Sequence, residues 1–359
     1  MTADAPLSES KNAGRSASDV APLSGLAAIP SHGGVTLIDL LRATAEESRL
    51  RVMQLLRESE LAVGEIALLL EQSQPRVSRH IRILEDAGMV ERRKEGSWVF
   101  VRLHRNAAVD AFFRFVDAIA PSAAEKERFA KDRRRIADVQ AEREAAAARY
   151  FAAHAEEWDG IRSLHVAEEE VERAILSLMH NRRLGHLLDI GTGTGRMAAI
   201  LGAGATRVTA LDRSPEMLRV ARTRLASCGF PIEVVRGDFL DLPLKDASVD
   251  SIVMHQVLHY ATAPDLAVAE AARVLRPSGH LLIADFAPHD REELRRDAAH
   301  QRLGFSDAQI RGWLAASGLI LETTEALTGG ALTVKLWLGR RRSDAVQLAK
   351  TPTNRKMQA

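Results

Sequence analysis

The residues of this chain best suited to chemistry are three acids, each at the end of a short apolar run, and one glycine-rich turn. Leu187-Leu188-Asp189-Ile190 leads into Gly191-Thr192-Gly193-Thr194-Gly195. The pattern predicts a buried strand ending at an acid, a sharp turn, and a helix from Arg196. Glycine tolerates positive φ and lets a ligand approach the backbone. The N–H groups at the start of that helix would point into the crevice beyond the strand ends. A dinucleotide fingerprint would need another glycine at position 196, which is Arg196. The turn therefore suits a ligand without a pyrophosphate, whose amino group can pair with the carboxylate of Asp189. The next run, Arg207–Leu211, ends in Asp212, placed to accept from two ribose hydroxyls. Asp238 follows the third run, Ile232–Val235, within Arg236-Gly237-Asp238-Phe239.

Amino acid, ribose and adenine met in that order describe S-adenosyl-L-methionine. Residues from about Tyr150 to Arg340 resemble a class I S-adenosylmethionine-dependent methyltransferase. The pieces that carry the resemblance are Asp189 to Gly195, Leu211-Asp212-Arg213-Ser214, Gly237-Asp238-Phe239, and Val274-Leu275-Arg276-Pro277-Ser278-Gly279-His280-Leu281-Leu282-Ile283. The resemblance implies a cofactor site of Asp189, Gly191, Thr192, Gly193, Gly195, Asp212, Arg213, Asp238, Phe239 and His255. In it Asp189 lies near the methionine amino group, Asp212 on the ribose, and Asp238 near the adenine amine with Phe239 beside the ring. S-adenosyl-L-homocysteine, the demethylated product, would occupy the same site.

The elements that must position these residues alternate. After Leu187–Gly195 come Arg207–Leu211, Pro215–Ser227, Ile232–Val235, Asp250–Met254, Pro264–Leu275, His280–Asp285 and Ser306–Ser317. Such alternation builds a parallel sheet covered on both faces. Leu319–Leu327 and Ala331–Leu338 are separated by Thr328-Gly329-Gly330, a hairpin signal, so the last strand pairs antiparallel. The fold expected for 150–342 is an α/β Rossmann-like domain. Tyr150 to Trp158 and the helix through Met179 should cap its cofactor. Methyl transfer needs the acceptor held in line and water excluded. His255, His259 and Tyr260 near the fourth strand end, Tyr150 and His154 on the cap, and His300 are the candidate bases. His255 has the best position, directly after Asp250–Met254.

An α+β domain is expected before it, over 35–120. Leu37–Leu56 fits two amphipathic helices, and Gly64–Leu70 a short third. Ser73 can cap the helix Pro75–Ala87, which puts Val77, Ile81 and Leu84 on one face and Arg76, Ser78, Arg79 and Arg82 elsewhere. Met89–Lys94 and Ser97–Leu103 read as two strands joined around Glu95-Gly96. This is a winged helix-turn-helix, and the second helix enters a major groove. Ser73, Gln74, Arg76, Ser78 and Arg79 face double-stranded DNA, and Arg92, Arg93 and Lys94 on the wing neutralise phosphates. Trp98 is read as packing in the wing. The segments Gln74–Ile81 and Leu84–Val90 are similar to winged-helix repressors of the ArsR/SmtB family. That resemblance implies a homodimer built from the first and last helices, here Leu37–Leu56 and Asn106–Ile119. The family's cysteine pair is replaced by Glu60–Glu65, and the final helix has no histidines. No metal site is carried over.

Residues 1–34 and 343–359 read as disordered tails, and 121–149 as a helical linker, by default a solvated spacer. The net charge of +1 gives no global field, so any basic surface is local. Cys228 is the one cysteine, which excludes a disulfide framework or thiolate cluster within the chain. No apolar run approaches a membrane span, and a cytoplasmic protein is expected. Two readings remain. One is a transcriptional regulator whose methyltransferase fold senses the adenosyl ligand. The other is a small-molecule methyltransferase whose winged helix serves autoregulation or dimerisation.

Overall fold

The computed structural model describes residues 36–343 apart from 59, 96, 105, 164–167 and 329. The expected tails, save position 343, lie outside the described residues, as do the turn glycines Gly96 and Gly329. The chain begins with α1 (Leu37–Thr44), α2 (Glu47–Glu58), β1 (Leu61–Ala62), α3 (Val63–Leu70) and α4 (Gln74–Asp86). The strands β2 (Val90–Glu95) and β3 (Trp98–Leu103) and helix α5 (Ala107–Ala118) complete this unit. Its sheet is antiparallel in the order β1-β3-β2, so α3 and α4 form the helix-turn-helix and β2–β3 the wing. Thr36 and Asp39 close a capping box on α1. Pro75 lies in the first turn of α4, where its missing N–H costs nothing. Ser73 occupies the N-cap position, but its hydroxyl makes no capping bond; its carbonyl receives the N–H groups of Arg76 and Val77. Val77, Ile81 and Leu84 enter one core with Val52, Met53, Leu55, Ile66 and Leu69.

A single helix, α6 (Ala123–His154, 32 residues), leads out of this unit. It is no solvated spacer. Ile136 from its thin apolar stripe is buried in the winged-helix core. Arg51 makes a two-pronged ion pair to Asp132 at 2.7 and 2.8 Å, and Arg135 donates to the Leu69 carbonyl at 3.1 Å. The charged residues beside the stripe thus find partners on α2 and α3, which holds the first half of α6 down.

The second unit contains α7 (Trp158–Ser163), α8 (Glu168–Met179), β4 (His186–Ile190), α9 (Arg196–Gly202), β5 (Arg207–Asp212), α10 (Pro215–Leu225) and β6 (Ile232–Arg236). It continues with β7 (Val249–His255), α11 (Pro264–Val274), β8 (Leu275–Phe286), α12 (Glu293–Asp297), α13 (Asp307–Ala316), β9 (Leu319–Leu327) and β10 (Val334–Arg341). The sheet order is β6-β5-β4-β7-β8-β10-β9. Strands β4 to β8 are parallel, and β10 runs antiparallel to both β8 and β9. This is the α/β Rossmann-like architecture expected, with helices burying apolar layers on both faces of the sheet. The strand order reverses at β4, with β5 and β6 laid to one side and β7 and β8 to the other. A crevice opens at the carboxyl ends of these strands, where such sheets bind ligands.

Candidate functional site

The crevice widens into a cavity of about 430 Å³, within the usual range for small-molecule sites. Of the candidate cofactor residues, Gly191, Thr192, Gly193, Asp212, Arg213, Asp238, Phe239 and His255 line it. Asp189 and Gly195 do not. Asp189 lies beneath the turn, where its Oδ2 accepts from the Thr192 hydroxyl at 2.6 Å and the Ala198 N–H at 3.0 Å. It thereby ties the turn to the start of α9. Gly195, with φ 82°, is the N-cap of that helix. Gly191 has φ 69°, and a Cβ there would stand 2.2 Å from Val257 Cγ2, so no other residue fits without displacing that side chain.

Asp212 accepts from the Gly193 N–H and from the Ser214 N–H, both at 2.9 Å. One carboxylate thus joins the glycine turn to the start of α10 and faces the cavity with its remaining lone pairs. Burial raises its pKa, against the lowering effect of these backbone donors. Arg213 and Asp238 face each other across the cavity edge at 3.8 Å.

The roof comes from α6 and α7. Ala141, Ala145, Ala147, Ala148 and Phe151 line the cavity from α6, and Trp158 from α7. Read from sequence, the run Ala145–Ala148 is helix propensity alone; here the small side chains leave room over the strand ends. A latch fixes the roof. Thr194 donates its hydroxyl hydrogen to Asp159 at 2.7 Å and accepts from Arg224 at 2.7 Å, and Arg224 also pairs with Asp159. Phe151 packs edge-on against Trp158 and Tyr260, with ring centroids 5.3 and 4.9 Å apart.

Among the candidate bases, His255 and Tyr260 line this cavity. His259 lies behind the wall, buried, with Nδ1 2.8 Å from Asp285 Oδ1 and its ring 4.2 Å from that of His300. His154 holds the carbonyl of Tyr150 at 2.8 Å. Gln256, which the sequence does not single out, follows His255 in the left-handed region with φ 51° and donates its N–H to the Ala284 carbonyl. A non-glycine residue there is strained, a feature that clusters at ligand sites.

On α4, Ser73, Gln74, Arg76, Ser78 and Arg79 are exposed, and Arg76, Arg79 and Arg82 form no ion pair among the described residues. His80 is buried, beside Glu46 at 3.5 Å, and braces the helix; burial lowers its pKa. The wing differs. Lys94 is exposed, but Arg92 pairs with Glu85, and Arg93 pairs with Glu95 and, at 3.5 Å, with Glu60.

The wing also packs on the second unit, a contact no local pattern announces. Glu95 accepts from the Leu303 N–H at 2.6 Å and pairs with Arg295. Glu292 accepts from Ser97, from its N–H at 2.6 Å and its hydroxyl at 2.9 Å. Arg302, buried, pairs with Glu60 at 2.6 Å and lies 4.7 Å from the centre of the Phe100 ring. Arg295 lies 5.3 Å from that of Trp98, so this tryptophan packs between units rather than within the wing alone.

Residues 188–283 match the family model of a methyltransferase domain, and residues 46–92 that of bacterial regulatory proteins of the arsR family. The chain thus joins an arsR-type helix-turn-helix to a methyltransferase domain. It is 37% identical over 102 residues to the ubiquinone/menaquinone biosynthesis C-methyltransferase of Rubrivivax gelatinosus, covering 28% of this chain and 39% of that protein. It is 36% identical over 152 residues to the malonyl-(acyl-carrier protein) O-methyltransferase of Methylococcus capsulatus, covering 40% and 53%. The chain therefore spans between two-fifths and about half of these relatives. The solved structure of the YcgJ protein of Bacillus subtilis aligns at 21% identity and a TM-score of 0.44, covering 49% of this chain and 99% of that one. Among the described residues, no helix is long and apolar enough to cross a membrane, and no group of three or more histidine, cysteine or acidic residues is placed to hold a metal ion.

Proposed function

We propose that the chain is a DNA-binding transcriptional regulator of arsR type. In this reading its C-terminal domain binds S-adenosyl-L-methionine or S-adenosyl-L-homocysteine and transfers a methyl group to a small-molecule acceptor. One observation carries the reading. The helix that buttresses the winged helix through Asp132 and Ile136 also roofs the cavity with Ala141, Ala145 and Ala148. Ligand state and the placement of α4 therefore share one continuous element.

The cavity fits the ligand. A Cβ on Gly193 would stand 3.6 Å from Trp158 Nε1 and fill part of the space that the turn leaves open. Asp212 would hold the ribose hydroxyls, and Asp238 and Phe239 the adenine. When bound, the sulfonium supplies an electrophilic methyl group. The chain's own residues orient and desolvate: Phe151, Trp158 and Tyr260 exclude water, and His255 takes the proton that an acceptor releases.

Two copies pair through α1 and α5, where Ile38, Leu41, Phe115 and Ile119 are exposed. In each copy α4 enters a major groove and presents Arg76 and Arg79 to base edges. A second reading, a methyltransferase whose winged helix serves only dimerisation or autoregulation, is favoured by the docking of the wing on the other unit. Operator binding at fixed salt, with and without each adenosyl ligand, separates the two. Unequal affinities support the sensor; equal affinities leave the enzyme.

A further inference from the structure

Beside the cofactor cavity lies a second one of about 280 Å³, with walls from both units. The wing supplies Trp98 and Phe100, α6 supplies Ala146 and Tyr150, and the segment around α12 supplies Arg295 and Arg296. Ala147, Thr262 and Gln301 line both cavities, so the two chambers adjoin at these residues. The surroundings combine flat rings with cationic charge. Arg295 and Arg302 are matched by Glu95 and Glu60, whereas the exposed Arg296 has no ion pair among the described residues.

We infer that this two-walled chamber is the methyl acceptor's site, that the acceptor is a ring-bearing anion, and that its occupancy holds the wing against the methyltransferase unit. The inference rests on the methyltransferase reading, since the acceptor must reach the donor methyl where the two chambers meet. In transfer, a lone pair of the acceptor bonds to the methyl carbon. The carbon–sulfur bond breaks with its electrons to sulfur, which yields S-adenosylhomocysteine; the acceptor's reacting atom projects from the chamber into the cofactor cavity, where its proton passes to His255. A ligand that touches both walls binds the docked arrangement only, and stabilises it by that difference in affinity. Docking places the Glu292 carboxylate on the wing tip at Ser97, where a DNA phosphate would otherwise approach. The acceptor thus acts as the signal that draws the wing away from DNA.

The test uses the full chain with Cys228→Ser and Ser97→Cys, saturated with S-adenosylhomocysteine. The probe is 2-naphthoate, and 2-naphthamide is its uncharged counterpart. At ten times its dissociation constant, naphthoate should slow maleimide labelling at position 97 by about tenfold. Arg296→Gln should weaken its binding by about three- to tenfold. Ala146→Phe, which fills the chamber from an exposed helical position, should abolish naphthoate binding and leave S-adenosylhomocysteine affinity intact. Unslowed labelling, or naphthoate binding that survives Ala146→Phe, overturns the chamber. Equal binding of acid and amide overturns the anionic class. Failure of S-adenosylhomocysteine itself to bind in calorimetry overturns the methyltransferase reading instead, and the inference with it.

Discussion

Glu95 is the charge on which wing docking turns, and Glu95→Gln is the perturbation that isolates it. The carboxylate is nearly buried, as is its partner Arg295, with side-chain exposures of 6% and 10%, so solvent screens the pair little. Glutamine keeps the shape and a carbonyl for the Leu303 N–H, but leaves Arg295 and Arg93 without their nearest counter-charge. Breaking one side of a buried ion pair costs about 3–5 kcal/mol where nothing compensates. Here Arg93 retains Glu60 and Arg295 retains Glu292, each at 3.5 Å. The loss should fall to about 2 kcal/mol, roughly thirtyfold in the docking equilibrium. Burial alone would raise the Glu95 pKa, but Arg93, the Leu303 N–H and Arg302 outweigh it and hold the group below its ordinary 4.5. A depressed carboxylate contributes stability above its undocked pKa and loses it as pH falls through the docked value. Wild-type docking should therefore weaken below 4.5, and the glutamine variant should show no such step. Hydrogen exchange followed by mass spectrometry reads both effects in segments 95–103 and 289–303. Wild-type protection of both segments in the variant, with an unchanged melting temperature, would refute the reasoning.

Three further perturbations address the other parts. Asp212→Asn should weaken S-adenosylhomocysteine by about 2–3 kcal/mol in calorimetry, because charged acceptors make the stronger hydrogen bonds. Burial raises the pKa of this carboxyl, so wild-type affinity should fall as pH drops through that raised value; wild-type affinity in a folded Asn variant would remove Asp212 from the site. Arg76→Ala and Arg79→Ala should each cost about 1–3 kcal/mol in operator binding at fixed salt, and unchanged binding by both would remove α4 from the groove. Ile136→Ala should destabilise the chain by about 2–5 kcal/mol in thermal or denaturant unfolding, whereas an unchanged melting temperature would mean that α6 does not pack on the winged helix.

The cavity floor is legible in the sequence because its information is local. An apolar run and an acid recur at the ends of β4 and β5, with a glycine turn after β4, and the strand-end position itself aims the side chains at the crevice. Asp189 shows the limit of that logic. Its spacing marks it as a ligand group, yet its carboxylate is turned inward by Thr192 and the Ala198 N–H, and spacing does not encode which way a side chain rotates. The roof is illegible for a different reason. Alanines contribute to a cavity by what they leave empty, and a run of them looks the same on a solvated helix. The clamp on the wing pairs Glu95 with Arg295 and Leu303, 200 and 208 positions away, and no periodicity records which distant charges meet. For the same reason Arg93 reads as a phosphate contact from its neighbours Arg92 and Lys94, although Glu60 and Glu95 claim it.

The unbroken run of α6 bears on how such a two-part chain can diverge. Between Ile136, seated in one unit, and Ala145, over the cavity of the other, the backbone is helical without interruption. Each residue inserted there would turn one unit by about 100° against the other and move it by about 1.5 Å. Deletions would do the same in the opposite sense. Only changes of seven residues, near two whole turns, would roughly restore the facing of wing and α12. Loops elsewhere can drift in length freely, whereas this stretch is a gear whose teeth must be counted, and homologues with the same clamp should keep its phase.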